Sequence, residues 1–219
     1  MKINNQNKKE AVVALNGNIT GKVEKYQHLF TDENLTFIAA DGGALFLDKI
    51  GIIPDIIIGD MDSLTTVQIE NFKNKGAAVI KYPVQKDETD GELALNYCIE
   101  NELKQVYLVG CQGGRFDQQL ANIFLLEYGF ENNISAVIKE PELEAGIISD
   151  YQEFNQLKQH RLSLLPLSRE VEGVTIKGCK YNVSDINLLR YKTRGISNKI
   201  LQKKAQVKIK KGLLLYIIN

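Results

Sequence analysis

The first two thirds of the chain alternate short apolar runs with segments of helical periodicity. The apolar runs are rich in valine and isoleucine and read AVVAL, LTFIAA, IIPDIIIG, AAVIKY, QVYLVG and ISAVIK. Such runs predict strands that are covered on both faces, which is typical of a parallel sheet with crossover helices. We therefore predict an α/β domain over residues 1–140.

Two of the intervening segments are predicted as helices. The segment TDGELALNYCIENEL has apolar residues at the spacing of a buried stripe, namely Leu93, Leu95, Tyr97, Cys98 and Ile99. The segment RFDQQLANIFLLEYG places four large apolar residues on one face: Phe116, Leu120, Ile123 and Phe124. Gly129 is predicted to end this second helix.

The helical periodicity fades after Pro141. Short apolar runs follow, separated by glycine, asparagine and serine, and they include HRLSLLPL, EGVTIKG and LLLYIIN. This pattern predicts an antiparallel β unit over residues 141–219, either a sandwich or an open barrel.

Charge separates the same two parts of the chain. Residues 1–140 carry 20 acidic and 13 basic side chains, a net charge of −7, and the remainder carries 7 acidic and 14 basic, a net charge of +7. A basic excess raises the possibility of nucleic-acid binding. However, KAQVKIKKGLLLY alternates lysine with apolar residues at strand period, which favours a solvated strand face. We expect no nucleic-acid partner.

Composition bears on location and on the cysteines. No apolar run approaches the roughly 20 residues of a membrane span, and the N-terminal stretch is too polar for a secretory signal. We expect a cytoplasmic protein with no membrane partner. Cys98, Cys111 and Cys179 are far apart and odd in number, which favours buried apolar roles over disulfides or a thiolate metal site.

Polar clusters follow four consecutive predicted strands. The carboxyl ends of parallel strands share one edge of a sheet, and ligands of α/β proteins bind there. The clusters are AADGG, GDMDS, QKDETD and GCQGGRFDQ, with Asp41, Gly42, Gly43, Asp60, Asp62, Ser63, Lys86, Asp87, Thr89, Asp90, Gln112, Gly113, Gly114, Arg115, Asp117 and Gln118.

Carboxylates gathered at one edge would repel one another unless a cation neutralised them. A hard, oxygen-liganded ion such as Mg²⁺ suits them, because it is held by one or two carboxylates together with phosphate oxygens and water. Neighbouring glycines let backbone N–H groups approach an anion, and Lys86 and Arg115 can balance phosphate charge. The pattern predicts a nucleotide-phosphate site.

Each cluster taken alone has a simpler explanation. Asp60 and Asp62 can form a turn with a helix cap, the glycine pairs can be tight turns, and Thr89 can cap the next helix. Independent caps would not all need the same edge of the sheet. Their shared position therefore favours a functional site.

In this order and spacing, DGG, PDIIIGDMDS, KDETD and GGRFDQ resemble the thiamine pyrophosphokinase family. GCKYNVSD and GISNK resemble its C-terminal thiamine-binding region. The resemblance implies a Rossmann-like α/β domain that binds ATP and Mg²⁺, a C-terminal β-sandwich that binds thiamine, and a homodimer with active sites in clefts at the interface. It also implies transfer of the pyrophosphoryl group of ATP to the thiamine hydroxyl, giving thiamine diphosphate and AMP.

The resemblance also assigns residues. The metal and phosphate site would hold Asp41, Asp60, Asp62 and Asp90, and the catalytic set would be Asp60, Asp62, Asp90, Lys86 and Arg115. ATP and thiamine contacts are expected from Asp41, Gly42, Gly43, Ser63, Asp87, Thr89, Gln112, Gly114, Asp117, Gln118, Tyr181, Ser197 and Asn198. The expected chemistry is in-line attack on the β-phosphorus, mainly through positioning and charge neutralisation, with Asp90 as the candidate general base.

Two alternatives from other classes stay open at this point. Phosphatases of the haloacid dehalogenase type also place Asp-x-Asp after an apolar strand, and Asp60 would then be a nucleophile. Against this, GDMDS follows the third predicted strand and Ser63 stands where that family usually has threonine or valine. A non-catalytic sensor would bind Mg-ATP and release no AMP when thiamine is added.

Overall fold

A computed structural model of the chain describes residues 9–32 and 34–219. The described chain divides into two compact units, the first ending at Pro141 and the second formed by Glu142–Asn219. Among the helices of the described residues, none combines the length and the apolar character needed to cross a bilayer.

Strands and helices alternate through the described part of the first unit. In chain order they are β1 (Glu10–Ala14), α1 (Val23–Leu29), β2 (Leu35–Ala40), α2 (Gly43–Lys49), β3 (Ile56–Gly59), α3 (Thr66–Asn74), β4 (Ala78–Lys81), α4 (Asp90–Glu100), β5 (Gln105–Val109), α5 (Phe116–Glu131) and β6 (Ser135–Glu140).

The six strands pair in the order β4-β3-β2-β1-β5-β6, and every pairing is parallel. The central strand β1 sets the register, with Val12 opposite Phe37 on one side and Tyr107 on the other. The α/β prediction is confirmed. Because all six strands run the same way, their carboxyl ends lie at one edge of the sheet.

The core of this unit forms where the apolar runs meet the helices. Ile56, Ile57 and Ile58 of β3 are at most 1% exposed, as expected for a strand covered on both faces. On α4, Leu93, Leu95 and Cys98 of the predicted stripe are buried, whereas the other two members, Tyr97 and Ile99, are half-buried. All three cysteines are buried and free, as predicted.

The predictions for α5 were partly wrong. The helix forms but continues to Glu131, so Gly129 lies inside it and is buried. The predicted apolar face is largely exposed in this unit, with exposed fractions of 78% for Phe116, 45% for Leu120 and 46% for Phe124. Leu125, Leu126 and Gly129 are the buried residues instead. Apolar residues surround much of this helix, so its periodicity does not single out one face.

The second unit consists of short strands. They are β7 (Leu143–Ile148), β8 (Tyr151–Asn155), β9 (Arg161–Pro166), β10 (Glu170–Lys177), β11 (Val183–Leu189), β12 (Asn198–Lys199), β13 (Lys204–Lys208) and β14 (Leu214–Ile218).

These strands form two antiparallel layers, β12-β9-β14-β7 and β11-β10-β13-β8. Buried side chains of both layers share one core, where Phe154 meets Tyr216 edge to face with ring centroids 5.2 Å apart. The unit is therefore a sandwich, one of the two predicted alternatives. In β13, Ala205 and Val207 are buried and Lys204 and Lys208 are exposed, which confirms the solvated strand face.

The start of α3 generates a stability prediction. Thr65 caps the helix by accepting the Gln68 N–H at 3.3 Å, and its own N–H donates to the Gln68 side chain at 2.8 Å. Thr65→Ala should lower the free energy of unfolding by about 1 kcal/mol, because it leaves a helix-start donor without its side-chain acceptor. Thr66→Ala, at the next and exposed position, should have little effect. Urea denaturation followed by circular dichroism measures both, and equal losses would contradict the capping role.

Candidate active site

A cavity of about 850 Å³ opens at the carboxyl edge of the parallel sheet. Its walls come from the segments that follow β1 to β5 and from α4 and α5. The residues that line it include Asn16, Gly17, Asp41, Asp60, Asp62, Ser63, Lys86, Thr89, Asp90, Gly110, Cys111, Gly113, Gln118 and Asn122. The cavity lies at the strand ends, the edge of the sheet where the sequence predicts the site.

Asp41 is the most buried carboxylate of the cavity. It is 4% exposed, and its Oδ2 accepts the Ser63 N–H at 3.2 Å. Its Oδ1 is buried and has no hydrogen-bond partner among the described residues. Burial raises the pKa of Asp41, and the charge of Asp90 raises it further, against the opposing hydrogen bond from Ser63. A buried oxygen without a partner is costly unless a ligand satisfies it.

Asp60 and Asp62 complete an acidic cluster with Asp41. One carboxylate oxygen of each residue lies within 4.8 Å of the others. Three converging carboxylates, one of them with an unpartnered buried oxygen, offer the oxygen ligands that a hard divalent cation prefers, and Mg²⁺ needs only one or two of them besides phosphate oxygens and water. The residues at this site therefore fit the predicted Mg²⁺.

The turn after β3 explains how two close aspartates reach the same cavity. Gly59 has φ +151°, and a Cβ there would lie 2.9 Å from the Cβ of Asp41 and 3.0 Å from Oδ1 of Asp90. Only glycine allows the strand to end against these two carboxylates. A local hydrogen bond stabilises the turn, since the Asp62 N–H donates to Oδ1 of Asp60 at 3.0 Å.

Lys86 supplies positive charge beside the cluster. Its ammonium group donates to Oδ1 of Asp90 at 2.8 Å and lies 3.6 Å from Oδ2 of Asp60, with the side chain 11% exposed. Burial lowers the pKa of Lys86, but the hydrogen bond and the charges of Asp90 and Asp60 outweigh it and raise the pKa above its ordinary value. The lysine is therefore a fixed cation at the cavity wall.

Two glycine-containing loops also line the cavity. Gly17 follows β1 and Gly110 follows β5, and a Cβ on Gly17 would lie 2.1 Å from the carbonyl oxygen of Gly110. The Asn18 N–H donates to the Gln112 carbonyl at 2.7 Å, which ties the loops together. The Asn122 amide of α5 donates to the Cys111 carbonyl at 3.2 Å. The glycines let the two loops approach each other closely at the cavity.

Sequence reasoning missed the loop after β1. Leu15, Asn16 and Gly17 line the cavity, yet LNGN carries no charged group to attract notice. The available signal was its position, since this glycine follows the first strand as the acidic clusters follow the others. The same edge rule would have included it.

Several predicted residues do not line the cavity. Gly42 and Gly43 are buried at the start of α2, packed against Asn16 and the Ala14 carbonyl. Asp87 and Gly114 are exposed, and Gln112 is half-buried and accepts from the Asn18 backbone.

Arg115 and Asp117 form an ion pair with each other. Their closest atoms, Nη2 and Oδ2, are 2.5 Å apart, and the side chains are 72% and 64% exposed. The charged pair lowers the pKa of Asp117 and raises that of Arg115. Gln118, the next residue, does line the cavity. The arginine thus lies beside the cavity residues with its charge already paired.

The predicted thiamine contacts lie in the second unit. Asn198 is 7% exposed, and its amide accepts the Tyr181 N–H at 3.0 Å and donates to the Tyr181 carbonyl at 2.8 Å. This arrangement fixes the backbone of Tyr181 while its ring stays 60% exposed, with the Lys180 ammonium 5.2 Å from the ring centroid. Ser197 is exposed, has φ +58°, and donates its N–H to the Ser163 hydroxyl oxygen at 3.1 Å.

The chain is similar to known proteins in both sequence and fold. The family model for the thiamin pyrophosphokinase catalytic domain matches residues 26–138, and the model for the thiamin pyrophosphokinase vitamin B1 binding domain matches residues 148–214. A thiamine pyrophosphokinase of Bacillus subtilis (strain 168) is 30% identical over 190 residues, which cover 86% of this chain and 89% of the relative.

Solved structures give the same result. The crystal structure of thiamine pyrophosphokinase from Bacillus subtilis has a TM-score of 0.85 at 26% identity, covering 96% of this chain and 99% of that one. The structure of thiamin pyrophosphokinase from Geobacillus thermodenitrificans shares the fold with a TM-score of 0.80 at 22% identity, covering 96% and 97%. The chain belongs to the thiamin pyrophosphokinase family.

Proposed function

We propose that this protein transfers the pyrophosphoryl group of ATP to the hydroxyl oxygen of thiamine, giving thiamine diphosphate and AMP. The observation that carries the proposal is the acidic cluster around the buried, unpartnered Oδ1 of Asp41, next to the fixed ammonium of Lys86. Family membership gives that cluster its chemical context. The resemblance to the family also supports a homodimer with the active site in a cleft at its interface, and the polar N-terminal stretch supports a cytoplasmic location.

Asp41, Asp60 and Asp62 would hold Mg²⁺, since their oxygens converge within 4.8 Å. When bound, the ion neutralises phosphate oxygens and makes the phosphorus more electrophilic. Asp90 is also a proposed ligand, and in the structure it accepts from Lys86. Ser63 and Thr89 line the cavity together with the four carboxylates.

The first unit binds ATP by positioning its phosphates. Backbone atoms of the loops at Gly17 and Gly110 approach the phosphate chain closely, as phosphate-binding loops do. Lys86 stabilises the negative charge that develops when the bond between the α- and β-phosphates breaks. Phosphoryl transfer needs little covalent help, so orientation and charge neutralisation supply most of the rate.

The nucleophile is the thiamine hydroxyl, which attacks the β-phosphorus in line with the departing AMP. Asp90 accepts the hydroxyl proton, and Gln112 or Asp117 orients the nucleotide or the hydroxyl. Arg115 contributes to phosphate binding by exchanging its exposed partner Asp117 for a phosphate oxygen. An exposed ion pair of this kind is weak, so the exchange costs little.

Thiamine contacts come from the second unit. The exposed ring of Tyr181 offers an aromatic face to the cationic thiazolium, and Asn198 holds that residue in place through both backbone hydrogen bonds. Ser197 contributes its hydroxyl group. Residues 1–140 are therefore assigned to ATP and Mg²⁺, and residues 141–219 to thiamine.

The activity is tested by supplying ATP, Mg²⁺ and thiamine and separating the products. We expect AMP and thiamine diphosphate in equal amounts. Asp62→Asn should lower turnover at least about a hundredfold with the fold intact, because it removes a charged metal ligand. Asp48→Asn, at an exposed surface ion pair with Lys75, is the matched control and should be active. ADP or inorganic phosphate as the only product would overturn the proposal.

The metal assignment predicts how Asp41 affects stability. Its pKa is raised above the ordinary 3.8, so the folded state holds this proton more tightly than the unfolded state. The ionised carboxylate therefore lowers the free energy of unfolding. This loss begins as pH rises past the ordinary pKa of 3.8, grows until pH passes the raised pKa of the folded state, and stays constant at higher pH. Without Mg²⁺, Asp41→Asn should gain stability relative to wild type over that pH range.

With Mg²⁺ bound, the wild type should become more stable than Asp41→Asn. Saturation to a hundred times the dissociation constant stabilises a folded protein by about 2.7 kcal/mol, and an uncharged amide at position 41 offers the ion a weaker ligand than a carboxylate. Urea denaturation across pH, with and without Mg²⁺ and without nucleotide, measures both effects. Equal stabilisation of wild type and Asp41→Asn by Mg²⁺ would exclude Asp41 from the metal site.

Tyr181→Ala tests the thiamine assignment. The substitution should weaken thiamine binding about five- to thirtyfold, which corresponds to one aromatic contact with a cation, and should leave Mg-ATP binding unchanged. Tyr191→Ala is the matched control, because Tyr191 is also exposed and has the ammonium of Lys192 5.4 Å from its ring centroid. Calorimetric titration of both ligands decides between them, and equal losses of thiamine affinity in the two variants would count against the assignment.

A further inference from the structure

A buried carboxylate lies outside the cavity and has no part in the proposed chemistry. Glu140 is the last residue of β6 and is 4% exposed. Its Oε1 accepts the Cys111 N–H at 2.9 Å, and its Oε2 accepts the Tyr26 O–H at 2.5 Å. Both bonds join parts of the first unit that are distant in sequence.

Tyr26 extends this connection to the segment after β1. Its side chain is fully buried in α1, and its ring meets Phe46 edge to face at 5.3 Å between centroids. The hydroxyl oxygen accepts the Thr20 N–H at 3.1 Å and lies 2.9 Å from the Thr20 hydroxyl oxygen. A continuous hydrogen-bonded chain therefore runs from Cys111 through Glu140 and Tyr26 to Thr20.

The two ends of this chain are the two glycine-containing loops of the cavity. Asn16 and Gly17 precede Thr20 in one loop, and Gly110 and Cys111 begin the other. The loops contact each other directly through the Asn18 N–H and the Gln112 carbonyl. Glycine and asparagine leave such loops conformationally free, so fixing them costs entropy that other contacts must supply.

An apolar residue at position 140 would fill the space without a buried charge. Burial raises the pKa of Glu140, and the hydrogen bonds from Tyr26 and from the Cys111 and Gly110 backbone oppose that rise only in part. Burial and the nearby carboxylate also raise the pKa of Tyr26 to about 12, so its hydroxyl remains a donor. What the carboxylate adds over an apolar side chain is two acceptors, one for the Cys111 N–H of the loop after β5 and one for the hydroxyl of Tyr26, which in turn holds Thr20.

We propose that Glu140 and Tyr26 are positioning residues that hold the 16–20 and 110–113 loops in the conformation that receives the nucleotide phosphates. Neither side chain lines the cavity, and they act through the Cys111 amide and Thr20. The inference rests on the proposed function for the identity of the ligand, whereas the effect on the loops does not depend on it.

Three variants test the proposal. Tyr26→Phe removes only the hydroxyl group and keeps the ring against Phe46. Glu140→Gln can still accept from the Cys111 N–H and can donate to the Tyr26 oxygen. Tyr216→Phe is the matched control, because Tyr216 is also buried and donates to a glutamate, Oε1 of Glu144, at 3.1 Å in the second unit.

Two measurements apply to each full-length variant below its unfolding temperature. Without ligand, the backbone amides of residues 16–20 and 110–113 should exchange hydrogen faster in Tyr26→Phe than in wild type. The other two variants should not show this change. The Kd and KM for Mg-ATP should rise about tenfold in Tyr26→Phe, the equivalent of one buried hydrogen bond to a charged group, with kcat within about twofold. Glu140→Gln should retain near wild-type values for both.

Unchanged exchange and unchanged Mg-ATP affinity in Tyr26→Phe would overturn the proposal. So would an equal rise in KM for Mg-ATP in Tyr216→Phe, since the effect would then follow from general destabilisation. If the wild-type protein itself bound no Mg-ATP, the proposed function would fail separately. Loop exchange alone would then decide whether Glu140 and Tyr26 hold the loops.

Discussion

Parallel pairing of the six strands of the first unit is the constraint from which its site follows. Each strand must be followed by a crossover, so each strand delivers its next residues to the same edge of the sheet. Carboxylates after β2, β3 and β4 thereby converge although they are separated along the chain by helices. A site assembled from loops on a well-packed sheet can hold groups that would repel one another in a flexible chain.

That convergence creates an electrostatic problem that the protein meets in two ways. Lys86 lies against Asp60 and Asp90 and offsets part of the negative charge with a cation of its own. Asp41, the most buried of the group, has an oxygen that no described residue satisfies. The first way stabilises the site before any ligand arrives. The second leaves a place where a metal ion would be favoured over water, because folding has already desolvated that carboxylate.

The parts of this structure that sequence could predict are those encoded by neighbouring residues. LTFIAA forms β2 (Leu35–Ala40) because its run of apolar residues favours a strand that is buried on both faces. The face of α5 could not be predicted, since its residues are apolar on several sides and only packing selects Leu125 and Leu126. Glu140 was missed because its partners lie 29 and 114 positions away, and no local pattern marks a residue whose role depends on such contacts.

The close approach of Gly17 to the Gly110 carbonyl has a consequence for redesign of the cavity. A Cβ on Gly17 would lie only 2.1 Å from the carbonyl oxygen of Gly110. Neither loop can therefore take a larger residue at its glycine, or change its length, unless the backbone of the other loop moves. The loops at Gly17 and Gly110 can therefore be altered only together. Attempts to alter the ligand preference of the cavity therefore have more freedom at Gln118, an exposed residue of α5 that also lines the cavity.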